Sequence, residues 1–529
     1  MKFNILFCLL ILSQPVFGQT TFQKIFDGGD NEEGWEIQKT ADKGFILCGF
    51  TKSYGAGQND MYVLKLDSIG NKEWDRVLGS SFSDGAYSIF ETLENGYVLC
   101  GSNSSSGNDD VHVIKMNNLG NVIWENSFGG SGNDFGFKIR ALEDFSFIVL
   151  GQSESYGHGG KDIYLLKIDN AGNLIFSKTY GGTQNELARD FIVTSSNEIV
   201  ISATTSSYGA GAQDGYLLKV DSLGVIIWAK TYGGIDNDRF WSIEETNGGN
   251  YIISGFTESV GAGMNDAWLI ETDTSGTIIW SKAYGSLAQE QMIDVIQTED
   301  GGFATIGCSS GYGSSGNMFL IKTDVQGNED WTRVYGGNDY SYGLSLEPSK
   351  FGYLLLGFKG SGVSAEDIYL IQTDNLGRSG CLDSLVSVGQ VDFIPSISNG
   401  HLTGSGGSLI SVSNNINTTS IMMDTLCFHL CATTFNSINA NGVDSVKVNG
   451  IWYSQDGTYI QSLINADGCD SVLTIDVTLE FTGLNELSIG NKELIKVLDL
   501  MGRETPVRKN MVLIYVYSDG TVERKLVFN

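Results

Sequence analysis

The sequence predicts an all-β chain, a seven-bladed β-propeller of four-stranded blades followed by small β modules. Three observations carry that expectation. A phrase of the form D-x-Y-L-x-K-x-D-x-x-G-x-x-x-W recurs down the chain at spacings of 50, 52, 52, 52, 51 and 50 residues; it is opened by Asp60, Asp110, Asp162, Asp214, Asp266 and Asp367, with Asn317 in the sixth place. A fixed period of this size marks a repeat architecture. The 529 residues hold 68 Gly and only 4 Pro beside 22 Tyr, 27 Phe and 9 Trp, a composition suited to short strands and tight turns. Each unit contains four strand-sized runs, in one copy Ile226 to Tyr232, Phe240 to Glu245, Tyr251 to Gly255 and Ala267 to Thr272, separated by Gly- or Asn/Asp-rich turns.

The turn glycine of the phrase falls at Gly70, Gly120, Gly172, Gly224, Gly276, Gly327 and Gly377. An aromatic follows at Trp74, Trp124, Phe176, Trp228, Trp280 and Trp331, but the seventh copy offers Cys381 instead. The missing aromatic stands near the start of the chain, where Phe22 to Phe26 matches Trp228 to Tyr232. Seven whole units therefore run from Phe22 to about Gly377, within a propeller domain of residues 19–378. Runs such as Tyr353-Leu354-Leu355-Leu356 are apolar on both alternating faces, so their sheets need cover on both sides. The terminal units lack polar capping features, which favours a closed ring over an open solenoid or a pair of sandwiches.

The D-x-x-G-x-x-x-W core of the phrase resembles the tryptophan-docking repeat of quinoprotein propellers. The resemblance implies that Trp74, Trp124, Phe176, Trp228, Trp280 and Trp331 pack between neighbouring blades. It implies no quinone cofactor, because those enzymes use adjacent cysteines and this chain has no Cys-Cys pair.

Met1-Lys2-Phe3 and the apolar run Ile5 to Leu12, followed by Val16-Phe17-Gly18, read as a signal peptide over residues 1–18. No other segment approaches the roughly 20 apolar residues that a membrane helix needs. An extracellular or outer-surface location follows as the expectation. Residues 379–430 are rich in Ser, Gly and Asn and read as an extended linker, which Cys381 and Cys427 could close. Cys48, Cys100 and Cys308 sit inside apolar runs and read as small buried hydrophobes. Residues 431–480 carry Gly457-Thr458-Tyr459 and Gly468-Cys469-Asp470-Ser471, which resemble small β-sandwich-like spacer modules on exported proteins of the Bacteroidetes type. Residues 481–529 resemble the C-terminal sorting domain recognised by the type IX secretion machinery. The residues that carry this likeness are Asp499, Gly502, Arg503 and Glu504, then Tyr515, Asp519 and Gly520. That resemblance implies delivery to the cell surface or the medium.

The formal charge of −30 repels phosphate backbones, so nucleic acid is a poor partner; an unknown protein or glycan ligand fits better. Only His112, His158, His401 and His429 are present, at unrelated positions, so no metal centre or triad built on histidine is expected. Gly307-Cys308-Ser309-Ser310-Gly311 matches a nucleophile elbow in form, and Gly311 to Gly316 matches G-x-G-x-x-G, yet neither is followed by the helix that such motifs require. One pattern stands out. A carboxylate recurs six residues past the aromatic position of the Y-G-G turn, at Asp84, Asp134, Glu186, Asp238 and Glu290, with Glu33 if one insertion is allowed and Ser341 interrupting. These side chains either cap their own turns or form a ring that attracts a cation such as calcium. The sequence thus points to a non-catalytic binding or adhesion module with no cofactor. The alternative is a propeller-class glycan hydrolase or lyase with an axial acidic site.

Overall fold

The computed structural model describes residues 20–105, 107–312, 316–350, 352–360 and 366–398. Beyond these it describes 402–404, 408–410, 415–417, 422–430, 434–443, 445–449, 451–464, 470–480, 494–498, 503–507, 512–517 and 521–526. The 1–18 signal reading lies outside these residues. The chain forms two compact units that meet in sequence at residues 432 and 433. Among the described residues there is no helix.

The first unit consists of seven antiparallel sheets of five strands each. Sheet one runs Glu32–Lys39, Phe45–Thr51, Asp60–Leu66 and Lys72–Gly79 in spatial order. Sheets two to six repeat this plan, with first strands Asp84–Glu91, Asp134–Ala141, Glu186–Val193, Asp238–Glu245 and Glu290–Gln297. Sheet seven takes Tyr340–Pro348, Tyr353–Gly360 and Glu366–Gln372, and borrows Thr20–Asp27 as its fourth strand. Phe22 pairs with Gln372 there, so the two ends of the repeat meet inside one sheet. The first strands touch one another in order, and that of sheet seven touches that of sheet one, so the seven sheets close a cycle about an axis. Third strands such as Asp60–Leu66 and Asp214–Val220 are buried at every position, which explains their unbroken apolar runs.

Neighbouring sheets interlock through the repeat's aromatic and its turn glycine. Phe22, Trp74, Trp124, Phe176, Trp228, Trp280 and Trp331 on the fourth strands lie against Gly70, Gly120, Gly172, Gly224, Gly276, Gly327 and Gly377 of the following sheet. Those glycines have φ between 70° and 86°, and a Cβ on Gly120 would come within 2.7 Å of the Trp74 ring. Only glycine meets both demands. The hydroxyls of Tyr180, Tyr232 and Tyr335 donate to the carbonyls of Gly224, Gly276 and Gly377 at 2.7, 2.7 and 2.6 Å, tying the same junctions with buried hydrogen bonds.

Residues 379–430 differ from the expected linker, and the blades differ from the expected four strands for the same reason. The segment runs back around the first unit and adds a fifth strand to every sheet in reverse order. Asp383–Val386 joins sheet six, Gly389–Asp392 sheet five, Ser396–Ser398 sheet four and Leu402–Gly404 sheet three. Ser408–Ile410 joins sheet two, Asn415–Asn417 sheet one, and Met422–Leu430 pairs with Thr20–Asp27 in sheet seven. A Cys381–Cys427 disulfide joins the two ends of this strap. The outer edges of seven fourth strands would otherwise present unpaired N–H and C=O groups, and the strap covers them.

The second unit holds a sheet in which Thr434–Val443 pairs in parallel with Asp470–Glu480, which pairs antiparallel with Gly457–Ile464. Tyr453, Leu473, Ile475, Val477 and Leu479 form its core. Leu494–Leu498, Val512–Tyr517 and Val522–Leu526 form an antiparallel three-stranded sheet.

Candidate functional site at the sheet axis

The recurring carboxylates do not line the axis; they stand at the start of each first strand. Asp84, Asp134, Glu186, Asp238 and Glu290 are at most 1% exposed. Each accepts the backbone N–H of the residue four places earlier, Ser80, Gly130, Gly182, Gly234 or Ser286, at 2.6 to 3.0 Å. In the first sheet the equivalent acid is Glu32, bonded by Gly28 N–H at 2.7 Å, and not Glu33. Each also faces the opening acid of the preceding sheet's third strand. A Cβ on Gly129 would meet both Asp110 and Asp134, on Gly181 both Asp162 and Glu186, on Gly233 both Asp214 and Asp238, and on Gly285 both Asp266 and Glu290.

The axis itself is shaped by a β-bulge. In every first strand the register slips one residue before the second half, between Gly34 and Glu36 in sheet one and between Gly343 and Ser345 in sheet seven. The same slip falls at Tyr87, Phe137, Arg189, Trp241 and Ile293. A bulge re-aims side chains and breaks the alternation of faces. Two consecutive residues per strand therefore turn to the axis, as two stacked layers.

The first layer is Trp35, Tyr87, Phe137, Arg189, Trp241, Ile293 and Leu344, which close around a small cavity of about 90 Å³. Trp35 meets Tyr87 edge-on at 5.2 Å, Tyr87 meets Phe137 at 5.5 Å, and the Arg189 guanidinium lies 4.0 Å over Trp241. Burial, with Arg239 nearby, lowers the Arg189 pKa to about 10, and the aromatic face compensates part of that loss of water.

The second layer is Glu36, Ser88, Lys138, Asp190, Ser242, Asp294 and Ser345. It has a structural duty: Glu36, Ser88, Asp190, Asp294 and Ser345 accept the N–H of Ile89, Ile139, Ile243, Leu346 and Ile37 on the next sheet, at 2.9 to 3.3 Å. Lys138 cannot accept, and the N–H of Phe191 bonds Asp190 instead at 2.8 Å. That duty explains acceptors but not a lysine. Lys138 Nζ lies 2.8 Å from Glu36 and 3.5 Å from Asp190. Ser242 Oγ lies 3.0 Å from Asp190 and 2.8 Å from Asp294, and its single proton serves only one of them.

Beyond this layer opens a cavity of about 550 Å³, within the size range of small-molecule sites, walled by charged and polar residues together with apolar ones such as Ile192, Ile243 and Ile296. Arg140, Glu244 and Glu347 project into it, and Arg140 Nη2 lies 3.2 Å from Glu36. Burial opposes ionisation of Glu36, but Lys138 and Arg140 outweigh it and hold the carboxyl down to about 2. Burial, and then the charges of Asp294 and Asp190, push Glu244 up to about 7. Burial, and then Asp294 and Glu36, push Glu347 up to about 8. One chamber thus holds ionised and protonated carboxyls side by side near neutral pH.

None of these axial residues belongs to the sequence-predicted sites. Their signal was variety: the seven copies offer Trp, Tyr, Phe, Arg, Ile and Leu at the first-layer position and Glu, Ser, Lys and Asp at the second. Ser309 of the elbow-like string is buried and donates to Glu290 at 2.7 Å. His112 is buried beside Ser127 at 2.7 Å, far in sequence from the axial positions. Of the tail residues, Arg503 and Glu504 are exposed and Tyr515 is half-buried, while Asp499, Gly502, Asp519 and Gly520 lie outside the described residues. Asp27, Glu32 and Asp367 each bring a carboxylate oxygen within 4.8 Å of the others.

No family model matches the chain. The regulatory protein FlaEY of Caulobacter vibrioides is 22% identical over 163 residues, covering 26% of this chain and 17% of its own length. Similar solved structures include Sqt1 from Chaetomium thermophilum, 9% identical, covering 66% of this chain and 96% of that one, with a TM-score of 0.41. The polysaccharide lyase Uly1 is 10% identical over 66% of this chain and 90% of its own, also at 0.41. A protein of unknown function from Dyadobacter fermentans is 11% identical over 67% and 98%, at 0.36. Sqt1 and Uly1 are propeller-like.

Proposed function

We propose that the chain is an exported seven-bladed β-propeller acting as a binding module, whose axial acidic chamber receives a cationic group, an ammonium or guanidinium, at the end of its ligand. One observation carries this reading. Among the described residues, the lining of one chamber brings six acidic residues, Glu36, Asp190, Glu244, Glu245, Asp294 and Glu347, together with two basic ones, Lys138 and Arg140. Calorimetry on the full-length chain with a polyamine, arginine-ended peptides and amino sugars tests it. A saturable heat from a cationic probe, lost in Glu244→Gln/Glu347→Gln, is the expected result; silence from every cationic probe would refute it.

The export part of the proposal rests on the 1–18 and 481–529 sequences. Expressed in a host with a type IX system, the full chain should reach the surface or medium, and deletion of 481–529 should retain it in the periplasm. Equal export with and without the tail would remove that assignment.

A second reading, catalysis of the hydrolase or lyase type, is favoured by the spread of Glu36 at about 2 and Glu347 at about 8 in one chamber, the separation that acid–base pairs use.

A further inference from the structure

We infer that the junctions between consecutive sheets bind calcium, with the tightest site formed by Asp27, Glu32 and Asp367 where sheet seven meets sheet one. The recurring acids and the opening acids of the repeat meet in pairs at six of the seven junctions. At the remaining one both are gone together, Asn317 standing for one and Ser341 for the other. A carboxylate that only capped its own turn would be indifferent to the residue offered by the neighbouring sheet. The joint loss says that the two act on something held between them.

The geometry supplies a second, separate reason. Asp162 is 1% exposed; its Oδ2 accepts the N–H groups of His158 and Gly159, both at 3.1 Å, while its Oδ1 receives no hydrogen bond. That oxygen faces the Gly181 Cα beside Glu186 Oε2, where even a methyl group would collide. Buried carboxylate oxygens are ordinarily satisfied, and an orphan held between two carboxylates marks a missing partner.

Chemistry selects the ion. The donors are oxygens with no imidazole or thiolate among them, which suits a hard divalent cation, and an irregular set of carboxylates suits calcium better than magnesium with its strict octahedron. At the junction of sheets seven and one, the place held elsewhere by Gly129, Gly181, Gly233 and Gly285 is taken by Asp27, which adds a third carboxylate. Asp367 Oδ1 there also lacks a donor.

Metal-stripped full-length chain, titrated with calcium chloride near neutral pH, should give a saturable heat. Its melting temperature should rise by roughly 3 °C for each site filled at a hundredfold excess over Kd. Asp27→Asn/Asp367→Asn should remove the tightest event, and Asp162→Asn should lower the total stoichiometry. Glu244→Gln/Glu347→Gln must leave the calcium heat intact. Loss of that heat in the axial variant would place the ion in the chamber and overturn the inference. So would a wild-type chain that shows neither heat nor melting shift in millimolar calcium; if Asp367→Asn then stabilises it, the acid pairs share protons instead. Binding of cationic probes to the axial chamber is measured in chelator, so this inference and the functional proposal fail separately.

Discussion

Breaking the Cys381–Cys427 disulfide should lower the stability of the first unit by about 4 kcal/mol, the chain-entropy value for a loop of 46 residues. The strap explains why the effect should be large and why it should be local at first. Most of its strands are three or four residues long, from Asp383–Val386 to Asn415–Asn417, and each pairs with a different sheet. Short strands are marginal alone, so their retention depends on the strap being held at both ends. The disulfide does this beside Thr20–Asp27, the strand on which ring closure itself rests: Gln23 pairs with Cys427, and its Nε2 donates to Ser379 Oγ at 2.6 Å and to the Cys381 carbonyl. In Cys381→Ser/Cys427→Ser, hydrogen exchange should accelerate in 383–417 before it does in the inner strands, and the urea midpoint should fall. An unchanged midpoint, with exchange along the strap as slow as in the oxidised chain, would show that backbone pairing alone retains it.

The same elements show what the sequence makes legible. Four-stranded units and their interlocking aromatics can be read directly, because a turn glycine with positive φ and a Trp at fixed spacing each answer to one local demand. The strap cannot be read that way. Its Ser-, Gly- and Asn-rich strands pair through backbone groups, so no alternation of apolar side chains announces them. The carboxylate pattern is visible, but its partner stands in another sheet, Asp162 for Glu186, and a repeat phrase does not say which of its members meet. The axial layers are hidden by the bulge. Alternation assigns Trp35 and Glu36 to opposite faces, and only the register slip between Gly34 and Glu36 turns both to the axis.

Glu347→Gln should stabilise the protein above pH 8 by about 2 kcal/mol and leave it nearly unchanged at pH 5. The sign follows from the proton count. Glu347 has a folded pKa of about 8 against an ordinary value of 4.5, so between these limits the folded state holds a proton that the unfolded chain has lost. Stability therefore falls as pH rises through that window, and the loss is complete above it. Glu244 acts in the same direction up to about 7. Glu36, held at about 2 by Lys138 and Arg140 against its burial, acts oppositely: its contribution is present above its ordinary value and disappears as pH falls toward 2. The full shift of Glu347 corresponds to about twice the stated figure, and the smaller value allows for solvent screening of this partly exposed side chain at the open chamber. Both functional readings meet at this residue. A cationic ligand displaces its proton, so affinity should rise with pH up to about 8, and in Glu347→Gln only the part of the rise below about 7, which Glu244 supplies, should remain. A catalytic acid would instead lose turnover of a glycan substrate above that pH and be silenced by the same substitution. A melting series across the window, run on both chains, checks the protonation claim without either ligand. Parallel curves for the two would show that Glu347 ionises at its ordinary value and that the chamber is acidic throughout.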